Sequence, residues 1–141
     1  MLSHEVTAGL ALESRDMESC TDDFQLALDA VRDGVVVWDA DGRALVTNAA
    51  ASRLFGLPDG LLRTGARRLD VITFLARRGD YGATEDPDCL ARELSDRFAK
   101  GSITSLTRRL PDGRYLRADA RPACGGRLVV TYQEVQPSEA S

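Results

Sequence analysis

A chain of 141 residues, of which 43% are hydrophobic and 28% charged, has the length and balance of one globular domain and is neither disordered nor fibrous. Its longest apolar run is far too short to cross a bilayer, and its N-terminus lacks the basic start and apolar stretch of a signal peptide. We therefore expect a cytosolic protein without membrane contact, and the net charge of −4 argues against nucleic acid as a partner.

The first predicted elements are helical. Residues 4–19 show a loose helical spacing of apolar side chains, which predicts a weak helix or a frayed arm. Thr21 can cap a clearer helix that has carboxylates in its first turn, and Gly34 is a natural end for it. The apolar face of this helix consists of Phe24, Leu28 and Val31.

A β-hairpin and a short helix are expected next. The β-branched and aromatic run Val35–Trp38 is followed by Asp39-Ala40-Asp41-Gly42, which is a turn signal. The return strand is predicted over residues 43–47. Asn48 can then cap a short helix over residues 49–55.

Two amphipathic helices are predicted in the middle of the chain. The segment Leu69–Arg78 has an apolar stripe at helical spacing and ends at a glycine. A second helix starts at Asp88 and ends at Lys100-Gly101. Its stripe consists of Leu90, Leu94 and Phe98.

The last third predicts three strands, over residues 102–110, 114–123 and 127–135. Pro111-Asp112-Gly113 and Gly125-Gly126 are the turns between them. Hairpins at both ends with helices between them indicate an α+β domain with one mainly antiparallel sheet.

The charged, histidine and cysteine residues do not indicate a reactive or metal-binding site. Arg67-Arg68, Arg77-Arg78 and Arg108-Arg109 are interpreted as solvated faces, as is the acidic N-terminal segment, although that segment could instead dock on a basic surface. The single histidine, His4, leaves a zinc site almost without ligands. The three cysteines, which show no paired spacing and are typical of a reducing compartment, are Cys20, Cys89 and Cys124.

The order of elements and several local motifs resemble the PAS family, in the subfamily common in bacterial histidine kinases and cyclic-dinucleotide signalling enzymes. The resemblance covers about residues 24–135 and implies a five-stranded antiparallel sheet with helices on one face. It divides the chain into a helical arm (1–23), a PAS domain (24–135) and a short polar tail (136–141). The motifs are the hairpins Asp33–Arg43 and Arg109–Arg114, the capped segment Asn48–Gly56, the block Leu69–Tyr81 and the closing strand Leu128–Tyr132.

The resemblance also implies a small cavity between sheet and helices, and an outer sheet face on which an N-terminal helix packs and dimerises. By resemblance, Val35 and Val37 would face the cavity and the residues next to them would face outward. The candidate pocket residues, which could instead simply fill the core, are Val37, Val46, Leu54, Phe55, Ile72 and Leu75. The candidate dimer or partner interface consists of Leu10, Met17, Phe24, Leu28, Val31, Val36 and Trp38.

The predicted function is a non-catalytic regulator of bacterial signal transduction, which acts by dimerisation and by binding a sensor kinase or another PAS protein. The alternative is a sensor of an apolar metabolite held in the cavity. No cofactor is expected, because no histidine lies between Asn48 and Lys100, where heme-binding relatives supply one, and Cys89 lacks the Asn-Cys-Arg context of photoactive flavin-binding relatives. An enzyme is not expected either, since turn chemistry explains the pair Asp39 and Asp41.

Overall fold

Five antiparallel strands form one sheet in the order β2-β1-β5-β4-β3, and the three helices between β2 and β3 pack on one of its faces. The computed structural model describes residues 23–136. The prediction of an α+β fold with a five-stranded sheet is confirmed. The elements are α1 (described over residues 23–30), β1 (Gly34–Trp38), β2 (Ala44–Thr47), α2 (Ala49–Phe55), α3 (Arg68–Arg78), α4 (Pro87–Ala99), β3 (Ser105–Arg109), β4 (Tyr115–Pro122) and β5 (Leu128–Val135).

Strand β1, which lies between β2 and β5, shows which face of the sheet carries the core. Val36 lies opposite Val130 on β5, and Trp38 lies opposite Leu128, so these side chains share one face. All four are buried in the hydrophobic core. The prediction that Val36 and Trp38 face outward is therefore wrong. The helices cover only one face, and the largest apolar side chain of β1 lies on that face.

Helix α2 packs closely against the start of β1. A Cβ atom on Gly34 would lie 2.8 Å from the Cα atom of Ala51, which is closer than real contacts allow. Gly34 is the first residue of β1, where it pairs with Tyr132. It does not end α1 as predicted, because that helix already ends at residue 30. Glycine at this position allows the close approach of helix and strand.

Helix α4 begins slightly earlier than its apolar stripe predicts. Pro87 occupies its first turn, and the carboxylate of Asp86 accepts a hydrogen bond from the amide of Cys89 at 3.0 Å. Proline suits this position because its missing N–H would have no partner there in any case. The predicted start at Asp88 is therefore late by one residue.

None of the helices within residues 23–136 combines the length and the apolar character that are needed to cross a membrane.

Candidate functional site

Polar contacts, and not its apolar stripe, attach α1 to the domain. The side chain of Gln25 donates to the carbonyl of Thr47 at 2.9 Å, and the carboxylate of Asp29 accepts from the amide of Ala49 at 2.8 Å. Both contacts lie where β2 runs into α2. The helix is thus held by its polar side and presents apolar residues to solvent.

Asn48 is the centre of this attachment. Its Oδ1 accepts from the amides of Val35 and Ala51 at 2.9 and 3.2 Å, and its Nδ2 donates to the carbonyls of Leu28 and Asp33 at 2.8 and 2.9 Å. The side chain therefore caps α2, as predicted, and also joins α1 and the start of β1 to it. Asn48 is only 3% exposed, so these bonds are shielded from water.

The predicted stripe on α1 does not cover the sheet. Phe24 and Leu26 are each 71% exposed and Val31 is 44% exposed, whereas Leu28 is half-buried. Exposed large apolar side chains in such a group are unusual on a protein that acts alone. Two further predicted interface residues, Leu10 and Met17, lie outside the described residues.

The outer sheet face, which points away from the core, has an apolar half. Val37 on β1 lies directly opposite Val46 on β2 and Val129 on β5, so three valines form one row across three strands. These valines and Val35 are half-buried, and we call the four of them the outer apolar face. The pocket prediction for Val37 and Val46 is wrong, because both lie on the side of the sheet opposite to the core.

The interior holds a small cavity of about 20 Å³ between the sheet and helices α3 and α4. Ile72 and Leu75 line it, as predicted, whereas Leu54 and Phe55 do not. The described residues around it include two arginines and no carboxylate. Its walls are formed by Trp38, Arg68, Val71, Ile72, Leu75, Tyr81, Phe98, Arg108, Ala118, Val130 and Tyr132.

Arg108 on β3 is the more unusual of the two arginines. Its guanidinium carbon lies 4.8 Å from the ring centroid of Phe55 and 4.7 Å from that of Tyr81, so it is held between two aromatic rings. Its Nε and Nη2 atoms are buried and have no hydrogen-bond partner within residues 23–136. Cation–π attraction of up to about 2 kcal/mol offsets part of the cost of burying this charge.

Arg68 at the start of α3 is buried beside the ring of Trp38, at 5.8 Å from its centroid. Its Nε donates to the hydroxyl of Ser95 on α4 at 3.4 Å, which is a long hydrogen bond. Burial lowers the pKa of Arg68, although the guanidinium stays charged at neutral pH. Burial also disfavours the charged form of the two tyrosines, so it raises the pKa of Tyr81 and of Tyr132, and both phenols are neutral near pH 7.

A second, larger space opens at the surface beside the cavity. This outer cleft of about 390 Å³ lies between α4, β3 and the loop that follows α3. Leu90, Leu94 and Leu106 supply apolar wall, and Tyr81 and Arg108 line both the outer cleft and the inner cavity.

The sequence did not reveal either buried arginine. The interpretation of Arg67-Arg68 and Arg108-Arg109 as solvated pairs is wrong for Arg68 and Arg108, which are buried. For Arg108 a signal exists, because Leu106 and Leu110 flank it at alternate positions of a predicted strand. That alternation places Arg108 on the inward face.

A family model described as the PAS fold matches residues 28–141. The chain belongs to the PAS family. PAS domains are sensor and regulatory folds of signalling proteins.

The chain is similar to PAS domains of known structure. The PAS domain of BvgS from Bordetella pertussis is 16% identical, with a TM-score of 0.52, and the match covers 86% of this chain and 90% of that one. The PAS domain of an HTR-like protein from Haloarcula marismortui is 12% identical, with a TM-score of 0.48, over 89% and 99% of the two chains.

Among curated proteins, the non-motile and phage-resistance protein of Caulobacter vibrioides is 29% identical over 111 residues, which are 77% of this chain. The match covers 11% of that protein, so this PAS chain spans about a tenth of its relative's length.

Other chemistry-bearing groups of this PAS domain have structural explanations. The carboxylate of Asp39 accepts hydrogen bonds from the amides of Asp41 and Arg43, both at 2.9 Å, which is the turn role that the sequence predicts. Cys89 and Cys124 are exposed free thiols, and Cys20 lies outside the described residues. Within residues 23–136 no group of histidine, cysteine and acidic side chains could hold a metal ion.

Proposed function

We propose that this PAS domain is a non-catalytic regulatory module of bacterial signal transduction that acts in the cytoplasm through protein–protein contacts. It forms a homodimer and binds a signalling protein, such as a histidine kinase or another PAS-containing protein. The observation that carries the proposal is the exposure of Phe24 and Leu26 on α1, each at 71%.

The outer apolar face adds to this surface. Its valines are only half-buried, although residues of this type prefer full burial. The chain before α1 carries Leu10 and Met17, which the sequence places in a helical arm. In the proposed dimer, two arms and two α1 helices pack around a twofold axis, which is the usual symmetry of small homo-oligomers.

The interior favours this function over the sensing of an apolar metabolite. A cavity of about 20 Å³ has room for little more than one water molecule. Its arginines and tyrosines are also a poor match for a purely apolar ligand. Of the candidate pocket residues, Phe55 packs in the core, and Val37 and Val46 lie on the outer apolar face.

Sedimentation velocity of the full chain at about 50 µM tests the proposal, since dimers with a free energy of association beyond roughly −6 kcal/mol are populated there. The paired substitution Phe24→Glu and Leu26→Glu should turn a dimer into a monomer, because it places charges within the apolar interface. Leu69→Glu is the matched control, since Leu69 is also exposed but lies on α3.

The proposal requires that the wild type and the Leu69→Glu variant sediment as dimers. A wild type that stays monomeric at this concentration contradicts the homodimer. A paired variant that remains dimeric contradicts the role of α1.

A further inference from the structure

A second surface cleft, which we call the basic cleft, opens where the turn between β1 and β2 meets the start of α3. Its volume of about 410 Å³ lies within the range of roughly 300–1,000 Å³ that is typical of small-molecule sites. Three arginines line it, Arg43, Arg67 and Arg68, whereas the one carboxylate among its described lining residues is that of Asp41. Two positive charges in this cleft are therefore left unbalanced. The basic cleft shares no lining residue with the outer cleft beside β3.

Arg68 is the buried member of the three arginines, and part of its guanidinium faces the basic cleft. Its Nε lies 3.4 Å from the hydroxyl of Ser95, and a Cβ atom on Gly42 would lie 3.4 Å from its Nη2. Both neighbours line the cleft. The two terminal nitrogens of Arg68 have no hydrogen-bond partner within residues 23–136, but they are not sealed from solvent as Nη2 of Arg108 is. Because Gly42 has no side chain, Nη2 of Arg68 stays open to the cleft.

The three arginines lack the carboxylate partners that other arginines of this domain have. Arg77 and Arg78 each bind an aspartate through Nε and Nη2 at 2.7–2.8 Å. Asp41, by contrast, forms no ion pair with an arginine in the described part of the chain. A buried charge without a pair loses hydration that nothing restores, and burial accordingly lowers the pKa of Arg68. An anion bound in the cleft would offset that loss.

The start of α3 adds a backbone donor to the same cleft. This helix has 11 residues, and the side chain of its N-cap residue, Arg67, makes no capping hydrogen bond. The amide of Arg68 donates to the carbonyl of Gly42 at 2.7 Å, but the amide of Leu69, which lines the cleft, has no partner within residues 23–136. The carboxylate in the first turn, that of Asp70, is exposed and does not line the cleft. A free amide at a helix N-terminus and the helix dipole both favour an anion at this place.

We propose that the basic cleft binds the phosphate group of a small phosphate monoester. The phosphate oxygens accept hydrogen bonds from Nη2 of Arg68 and from the amide of Leu69, and the exposed guanidinium groups of Arg43 and Arg67 supply further positive charge. A phosphate monoester carries about −1.5 to −2 charges at pH 7 and has three strong acceptor oxygens, so it matches both the charge and the donors of the cleft. The site does not involve α1, so it stands or falls separately from the proposed dimer.

Titration of the full chain with methyl phosphate, followed by nuclear magnetic resonance, tests the site. Methyl sulfate is the matched probe, because it has the same shape and only one negative charge. Methyl phosphate should shift the amide signal of Leu69 and the Nε–H signal of Arg68 in a saturable manner, and it should bind about fivefold more tightly than methyl sulfate. These signals belong to the wild-type protein, so this part of the test needs no variant.

Two variants with the same net charge separate a site from a general response to charge. Arg67→Gln, which changes an exposed residue of the cleft, should weaken the binding of methyl phosphate about fivefold. Arg121→Gln, which changes an exposed arginine on β4, should leave it unaltered. The proposal is overturned if the Leu69 and Arg68 signals stay unshifted at millimolar methyl phosphate, or if methyl sulfate binds as tightly. It is also overturned if Arg67→Gln keeps wild-type affinity, or if both variants weaken binding equally.

Discussion

At the scale of single residues, Asn48 makes more hydrogen bonds than the helix cap that its position predicts. Its place between a strand and a helix predicts an N-cap, and it is one. The same amide group also joins Leu28 and Asp33 by hydrogen bonds to their carbonyls. One buried side chain thereby fixes α1, β1 and α2 relative to each other.

The substitution Asn48→Ala should therefore lower the free energy of unfolding by about 3 kcal/mol, instead of the roughly 1 kcal/mol expected for a cap alone. The extra loss comes from buried backbone groups that are left without partners. Chemical denaturation measures the difference. Asp86→Ala is the matched control, because Asp86 caps α4 through one exposed bond, and it should cost about 1 kcal/mol. Equal losses for the two variants would contradict this account of Asn48.

Alternation along strands explains both a success and a failure of prediction from sequence. The hairpins could be predicted because turn signals and β-branched runs are local, and the five-stranded sheet followed from the resemblance to the family. The face to which Val36 points could not, because alternation gives a period of two residues but not which of the two faces is covered. A shift of one residue exchanges Val36 with Val35 and Val37, and the tertiary contacts of the helices settle the choice.

At the scale of elements, two arginine–aspartate pairs brace the region around α3 and α4 in different environments. Arg78 and Asp80 form a two-point pair in which the carboxylate is completely buried, and Arg78 also donates to the carbonyl of Gly56 at 3.2 Å. Arg77 and Asp88 have the same geometry at the surface. The side chain of Asp80 raises the pKa of Arg78 through its hydrogen bonds. The buried pair therefore links the end of α3 to the end of α2.

Asp80→Asn should destabilise the protein by about 3 kcal/mol, since it leaves a partly buried guanidinium facing a neutral group. Asp88→Asn should produce a much smaller change, because both partners of that pair remain hydrated. Thermal unfolding of both variants beside the wild type compares them directly. A midpoint for Asp80→Asn as high as that for Asp88→Asn would mean that the buried pair does not brace the helices.

At the scale of the whole molecule, the two faces of the sheet differ in how they are covered. The inner face and helices α2, α3 and α4 form the core and enclose Arg108, whereas the valines of the outer apolar face are half-buried and Phe24 and Leu26 of α1 are exposed. The attachment of α1 by its polar side could not be predicted from its apolar stripe, because the stripe suggests burial within the subunit. Hydrogen bonds to the junction of β2 and α2 decide the orientation instead.

The valine methyl signals of the full chain, recorded by nuclear magnetic resonance on dilution, test this division most directly. Val35, Val36 and Val37 are consecutive, but only the middle one points into the core. Dilution from about 1 mM to about 20 µM spans association free energies of roughly −4 to −6 kcal/mol. The account predicts that the methyl signals of Val35, Val37 and Val129 shift on dilution, while those of Val36 and Val130 stay constant. Signals that do not change at all, or shifts confined to Val36 and Val130, would contradict the assignment of the outer face as the surface where two chains meet.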